Sequence, residues 1–287
     1  MMYKIKIVKI VAGKYNSNII NLLGILLNKI KGKFSGILNG LDQKEFNPKT
    51  DPFIEYNYDL SSLRKKVLNK VILQKIFHLP EKKVLVAGFV GRLSRQKGLE
   101  LLVPTVRKFL EEFEAQFVFL GDGQGEYKNQ LMDLKREFPS QIGIHLRTDF
   151  KLPRKIFAGA DLLLIPSLFE PGGIVALEAM RYGTIPLAHK TGGLADSIED
   201  FQMDKQNGNG FLFKQFSPWS LFATLVRAET LYQNKKIWGK LMKKAMKSDF
   251  SWDKVAREYS NLYRKVKKQR MKTVQANPHL AYKSTEQ

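Results

Sequence analysis

Cysteine is absent from the 287 residues of the chain, and histidine is scarce, with four residues: His78, His145, His189 and His279. The lack of cysteine excludes a disulfide framework, a thiol nucleophile and thiolate metal ligands, and it is typical of the reducing cytoplasm. No two histidines have the spacing of a metal-binding pair, so the sequence predicts no zinc site. We therefore expect a cytoplasmic protein that binds no metal ion.

A long uninterrupted apolar run is also lacking. Near the N-terminus the apolar stretches are broken by four lysines, Lys4, Lys6, Lys9 and Lys14. The cleaner run at residues 19–27 is too short to span a bilayer, and no small-residue cleavage site follows it. We expect a soluble protein without a membrane span, whose residues 1–33 form an amphipathic N-terminal segment.

Acidic residues are few beside basic ones, since 27 Asp and Glu stand against 48 Lys and Arg, a formal net charge of +21. Such a balance favours an anionic partner, which is a nucleic acid, a membrane surface or a phosphorylated ligand. The densest basic runs, residues 235–247 and 263–272, lack the interleaved aromatic residues of a single-strand binder. We predict that most of this charge solvates helices and that nucleic acid is not a partner.

From about residue 84 onward, short apolar runs alternate with helical periods. The runs lie at 84–90, 115–121, 142–146, 161–167, 184–189 and 210–213, with an additional strand expected earlier, at 35–41. Helices are predicted near 97–113, 125–137, 153–159, 173–182, 194–199, 217–233, 235–247 and 252–270. Because the runs are apolar throughout, they indicate strands of a parallel sheet buried on both faces. The repeat predicts a doubly wound, Rossmann-like α/β domain.

The loops after these runs share one chemistry. In an open parallel sheet they meet at the carboxyl edge, where ligands bind, and glycines recur in the loops at 91–98, 121–125, 169–174 and 191–193. We expect these glycines to leave backbone N–H groups free for a ligand and the following helix N-termini to favour a phosphate. The sequence has no Walker motif, and GDGQGE (121–126) does not fit the dinucleotide fingerprint.

Three charged residues stand out at this edge. Arg92 and Lys97 flank a turn that enters a helix, an arrangement that suits a diphosphate. Glu170 precedes Pro-Gly-Gly where an apolar run gives way to a helix. From its position alone, a solvated or helix-capping glutamate is an equally good interpretation.

Four stretches, GRLSRQKGLELL, FLGDG, PSLFEPGGIVALEAMRYGTIPLAHKTGGLADSIED and GNGFLF, resemble in order and spacing the C-terminal half of the glycogen/starch synthase family. FSGILNGLDQKEFNPKTDP (34–52) resembles the segment where a synthase chain enters its second domain, and DFSW before the last helix also fits. The resemblance covers roughly residues 20–268. It implies a glycosyltransferase-B fold, in which two Rossmann-like domains face a cleft and the C-terminal one holds a nucleotide sugar.

The resemblance also implies a division of the chain. Residues 34–250 would form the nucleotide-sugar-binding domain, 251–271 a cross-over helix and 272–287 a disordered tail. The Lys-x-Gly-Gly-Leu loop of the synthase N-terminal domain has no counterpart here. We therefore expect a donor-binding half from a truncated or split gene, which self-associates or needs a separately encoded N-terminal domain.

The activity implied by the resemblance is transfer of glucose from ADP-glucose to the 4-hydroxyl of an α-1,4-glucan with retention, without cofactor or metal. UDP-glucose is the alternative donor. Glu170 would hold the donor sugar and support positive charge at its anomeric carbon, while Arg92 and Lys97 would stabilise the leaving diphosphate. The other positions implied to bind the nucleotide sugar are Gly121, Gly123, Pro171, Gly172, Gly173, Ile174, Glu178, Thr191, Gly192 and Gly193.

The chain departs from the family at three of its positions. Gly172 stands where bacterial synthases usually have cysteine. Glu178, eight residues after Glu170, is typical of the broader retaining glycosyltransferases, in which it holds the ribose. Thr148 aligns with the aromatic residue that stacks on the base, and Phe150 is a candidate substitute. The alternatives are therefore another retaining glycosyltransferase or a non-catalytic nucleotide-sugar-binding module.

Overall fold

A computed structural model of the chain describes residues 36–276. Six strands in this range form one sheet: β1 Leu85–Val90, β2 Ala115–Leu120, β3 Ile142–His145, β4 Leu162–Ile165, β5 Ile185–His189 and β6 Phe211–Phe213. All five pairings are parallel, and the spatial order is β3-β2-β1-β4-β5-β6. The predicted doubly wound α/β sheet is confirmed, and each strand lies within its predicted apolar run.

Helices connect and follow the strands: α1 Lys66–Ile76, α2 Leu99–Glu112, α3 Gly125–Glu137, α4 Leu152–Gly159, α5 Ile174–Arg181, α6 Gly192–Ser197, α7 Pro218–Gln233, α8 Lys235–Lys247 and α9 Trp252–Ala276. The helix predictions from residue 97 onward are confirmed to within a few residues. Helix α9 runs five residues past the boundary expected at 271. Within the described range, no helix has the length and apolar character needed to cross a bilayer.

Two apolar layers hold the helices on the sheet, because alternate strand residues point to opposite faces. On one face, Ala87 and Phe117 pack with Phe109 of α2 and with residues of α7. On the other face, Val86 packs with Ile156 of α4 and with residues of α1 and α5. The sheet is therefore buried on both faces, as runs that are apolar throughout require.

The strand expected at 35–41 is wrong for the residues that the structure describes. Residues 36–40 are not extended into a strand, and Leu41 forms only a single bridge with Ser251. The Leu41 N–H donates to the Phe250 carbonyl oxygen at 2.8 Å, and a Cβ on Gly40 would lie 2.8 Å from the Trp252 ring. The segment thus packs against the start of α9. The expected amphipathic segment 1–33 and residues 277–287 lie outside the described residues.

Candidate functional site

The two central strands, β1 and β4, define the point where the strand order reverses, and their following loops are held together. The Leu168 N–H donates to the Gln96 carbonyl oxygen at 2.9 Å. Gly98 has φ 77° and lies so close to Pro166 that a Cβ would stand 2.0 Å from its carbonyl oxygen. Only glycine fits there, so this residue fixes the loop after β1 against the loop after β4.

Glu170 and Lys97, both predicted at this sheet edge, meet between these loops. The Lys97 Nζ donates to Glu170 Oε2 at 2.5 Å, and the Ser167 hydroxyl donates to the same oxygen at 3.2 Å. The side chains are 24% and 12% exposed, respectively, for Lys97 and Glu170. Glu170 Oε1 has no partner among residues 36–276, so the carboxylate keeps one oxygen for a ligand hydroxyl.

Arg92 lies in the same loop as Lys97 but is not part of this pair. Its side chain is exposed and forms no hydrogen bond or ion pair within the described part of the chain. A free guanidinium can bind a phosphate in bidentate fashion. The structure therefore brings together two of the three predicted charged residues and leaves the third unpaired at the same sheet edge.

The Pro-Gly-Gly turn presents unpaired backbone groups. Pro171 is exposed, and neither Gly172 nor Gly173 uses its N–H in a hydrogen bond with the described residues. Gly173 adopts φ 65° immediately before α5, whose first residue, Ile174, is 39% exposed. These amides stand beside Glu170 at a helix N-terminus, which is a favourable place for an anion or a sugar hydroxyl.

The start of α6 packs directly against this turn. The Gly193 N–H donates to the Glu170 carbonyl oxygen at 2.9 Å, so the expectation that this amide is free is wrong. Gly192 has φ 47°, and a Cβ on it would lie 2.2 Å from the same oxygen. Thr191 is buried, and its hydroxyl has no hydrogen-bond partner in the described range. Residues 191–193 therefore pack against the backbone of the Glu170 loop and hold it in position.

The glycines after β2 also differ from expectation. The Gly121 N–H donates to the His145 carbonyl oxygen at 3.1 Å, and the Gly123 N–H donates to Asp122 Oδ1 at 2.7 Å. A Cβ on Gly121 would lie 1.9 Å from the Gly91 carbonyl oxygen. Their amides are thus engaged, and close packing of the loops after β1 and β2 is what requires glycine there.

Comparisons with known proteins identify the chain's family. The sequence model of the glycosyl transferases group 1 family matches residues 72–244. The chain belongs to this family. The Rossmann-like domain expected from the resemblance is confirmed.

Its relatives include glycogen synthases. The chain is 44% identical over 232 residues to the glycogen synthase of Fervidobacterium nodosum, and 42% identical over 240 residues to that of Kosmotoga olearia. These matches cover 81% and 84% of this chain but 48% and 50% of the relatives. The catalytic domain of starch synthase IV from Arabidopsis thaliana, solved bound to ADP and acarbose, superposes with a TM-score of 0.77 at 37% identity. That match covers 85% of this chain and 51% of the other. The chain thus spans about half the length of the curated relatives it matches.

Glu178 lies on α5, eight residues after Glu170. Its carboxyl group forms no hydrogen bond or ion pair with the residues that the structure describes. Desolvation by burial raises the pKa of Glu178 to about 7, although nearby Arg154 acts in the opposite direction. A desolvated carboxyl group without a protein partner is costly for the fold, which makes it a candidate ligand-binding group.

Phe150 is the most exposed aromatic residue among those that the structure describes, with 88% of its surface accessible. It follows β3, on the same sheet edge as the other site loops. Asp149 fixes the turn, because its carboxylate accepts from the Lys151 and Leu152 N–H groups at 2.7 and 2.8 Å. Thr148 is exposed beside it. A presented aromatic face of this kind can stack on a nucleobase.

Two supporting residues escaped the sequence reasoning. Ser167 donates to Glu170, and buried His189 places its Nδ1 2.9 Å from the Ser167 carbonyl oxygen. His189 also packs on the rings of Phe213 and Phe216. In the sequence, each of these residues is marked only by its position at the end of an apolar run. The sequence does not show that the two runs form adjacent strands.

Proposed function

We propose that the chain is the donor-binding part of a glycogen or starch synthase, which transfers glucose from ADP-glucose to the 4-hydroxyl of an α-1,4-glucan with retention. The observation that carries the proposal is the Lys97–Glu170 pair at the strand-order reversal, in a chain 42–44% identical to glycogen synthases. Glu170 binds hydroxyls of the donor glucose and stabilises positive charge at the anomeric carbon.

Cationic side chains bind and stabilise the leaving diphosphate in this proposal. Lys97 touches Glu170, so a diphosphate bound to Lys97 lies next to the sugar that Glu170 holds. Arg92 provides a second, bidentate cation, and the unpaired amides of Gly172 and Gly173 add hydrogen bonds. Negative charge that develops on the diphosphate as the glycosidic bond breaks is thus neutralised by the protein, without cofactor or metal.

ADP is the proposed nucleotide, with UDP as the alternative. In the proposal, the ribose hydroxyls bind to Glu178 and the base stacks on Phe150, whose ring is available for it. Stacking is tolerant of base identity, so the donor is decided experimentally by comparing ADP-glucose with UDP-glucose.

We propose that transfer also needs a surface that covers α9. Trp252 and Tyr263 on this helix are 51% and 67% exposed, whereas Val255 is its buried apolar residue. An exposed apolar stripe of this kind favours association, either with a synthase N-terminal domain or between copies of the chain. Closure over the donor site would exclude water and orient the glucan acceptor.

A second candidate is another retaining glycosyltransferase that acts on a different acceptor. It is favoured by Glu178, whose spacing of eight residues from Glu170 is typical of that broader group. The two candidates differ in the donor and acceptor that they use, and a non-catalytic binding module would show donor binding without transfer in any combination.

Calorimetric titration of the purified chain with ADP, ADP-glucose and UDP-glucose tests the proposal. We expect ADP-glucose to bind more tightly than ADP and UDP-glucose. Labelled ADP-glucose and glycogen, supplied with and without a synthase N-terminal domain, then test transfer, which we expect only with that domain. Binding of none of these nucleotides, or selective binding of UDP-glucose, would contradict the assignment.

A further inference from the structure

The peptide unit between Ser167 and Leu168 is held at both of its polar atoms. Its N–H donates to the Gln96 carbonyl oxygen at 2.9 Å. Its carbonyl oxygen lies 2.9 Å from the Nδ1 atom of His189, the last residue of β5. A carbonyl oxygen only accepts hydrogen bonds, so Nδ1 carries the hydrogen and donates it. The unit thus joins the loop after β4 to the loop after β1 on one side and to β5 on the other.

The imidazole of His189 supplies a donor that the backbone of β5 does not. Past the last β4–β5 pair, the N–H groups of Lys190 and Thr191 donate to other carbonyl oxygens. Ser167 is buried, and in the described part of the chain its carbonyl oxygen accepts from no group besides the imidazole. The ring is 7% exposed and packs on two phenylalanine rings, with centroids 5.2 and 5.3 Å away. Without its N–H, a buried acceptor would be unpaired, and rotation of the peptide unit toward solvent would relieve that cost.

The side chain of Ser167 starts from this fixed peptide unit and reaches Glu170. Its hydroxyl donates to Glu170 Oε2 at 3.2 Å, and the Lys97 Nζ donates to the same oxygen at 2.5 Å. The lysine has a flexible four-carbon stem, whereas the position of the hydroxyl follows from the backbone and one torsion angle. In the proposed site Lys97 also binds the diphosphate, so Ser167 is the donor that serves Glu170 alone.

We infer that His189 is a positioning residue for recognition of the donor sugar. Its Nδ1–H fixes the Ser167 peptide unit, and the Ser167 hydroxyl then orients Glu170 so that Oε1 meets a sugar hydroxyl. The inference rests on the proposed function, because it takes Glu170 as the contact of the donor sugar. Loss of the imidazole N–H should therefore weaken recognition of the glucose and spare recognition of ADP.

Two variants of the same shape, His189→Asn and His189→Leu, separate the N–H group from the packing of the ring. The amide nitrogen of asparagine takes the place of Nδ1 and donates, whereas the methyl group of leucine cannot. Calorimetry with ADP and with ADP-glucose gives the additional affinity that the glucose contributes. We expect this additional affinity to be about three- to tenfold lower in His189→Leu than in His189→Asn, the size of one net hydrogen bond. ADP should bind equally to both variants.

A Ser167→Ala background shows whether the effect passes through the hydroxyl. There, the two His189 variants should have the same additional affinity for ADP-glucose, because the group that links the peptide unit to Glu170 is gone. The control for lost packing is Phe201→Leu, which removes a ring that packs on Phe211 of β6. It should keep the wild-type preference for ADP-glucose over ADP.

Nitrogen-15 NMR of the wild-type His189 ring tests the first step without any variant, and it should show the Nδ1–H tautomer. The Nε2–H tautomer, equal additional affinity in His189→Asn and His189→Leu, or a difference that persists in Ser167→Ala would overturn the inference. Weakening of ADP and ADP-glucose by the same factor in His189→Leu would also overturn it. A wild-type chain that bound ADP-glucose no more tightly than ADP would overturn the proposed function and, with it, the inference.

Discussion

Replacing Glu178 with glutamine should stabilise the fold at neutral and alkaline pH. Burial raises the pKa of this carboxyl group from its ordinary value of 4.5 to about 7. The folded state therefore binds more protons than the unfolded state between these two pH values, and stability falls as the pH rises through that window. Above pH 7 the Glu178 carboxyl group is ionised, and its desolvation then destabilises the folded state most. Glutamine carries no charge at any pH and avoids this destabilisation.

The magnitude follows from the two pKa values. At about 1.4 kcal/mol per pH unit, the interval between 4.5 and about 7 gives an upper limit of about 3 kcal/mol. Glu178 is half-buried, so solvent screening reduces the expected effect to about 1–2 kcal/mol. The cost is consistent with a group retained for binding, since sites commonly sacrifice stability for function.

Urea unfolding of the wild type and Glu178→Gln at pH 5, 6, 7 and 8 measures this effect. The free energy of unfolding of the variant should gain on that of the wild type as the pH rises, by about 1–2 kcal/mol in total. Glu258→Gln on α9, an exposed position without a partner in the described range, is the control and should show no trend. The reasoning would be refuted if the difference in free energy of unfolding between variant and wild type did not change with pH, or if the variant became less stable relative to the wild type as the pH rises.

Four further changes probe the rest of the site. Arg92→Ala should weaken ADP binding by about 1.5–3 kcal/mol in calorimetry, whereas Arg95→Ala in the same loop, whose guanidinium pairs with a glutamate, should not. Gly172→Ala should leave the thermal midpoint unchanged, because its Cβ would meet no atom nearer than 3.8 Å. Gly173→Ala should destabilise the fold by about 1–3 kcal/mol, because φ is 65° there. Phe150→Ala should weaken ADP binding by about 1–3 kcal/mol without changing stability, because the ring is 88% exposed.

The sheet could be predicted because its strands are buried on both faces. The run at 84–90 is apolar at every position and the run at 115–121 is interrupted only by Gln116, a pattern typical of strands in a parallel sheet. The run at 35–41 contains Ile37, Leu38 and Leu41, yet Leu41 pairs with Ser251 near the start of α9 instead of joining the sheet. Burial of a short apolar segment can be predicted from its sequence, but the element against which it packs cannot.

The site could be predicted only in part, for a related reason. The sequence placed Glu170 and Lys97 in loops at the same sheet edge, but their direct contact depends on the adjacency of β1 and β4, which only the structure shows. The amides of Gly121 and Gly123 are engaged, because glycine in a loop permits close packing as readily as it permits ligand binding. The support that Ser167 gives to Glu170 depends on side-chain geometry, which no pattern in the sequence records.

The most direct test of the account is to titrate ADP and ADP-glucose into the wild type and into Glu170→Gln. In the proposed site, Glu170 binds the donor sugar and the cations bind the diphosphate. The variant should therefore bind ADP as the wild type does and lose the additional affinity for ADP-glucose. Equal weakening of both ligands, or an unchanged preference for ADP-glucose, would contradict the assignment of Glu170 to the donor sugar.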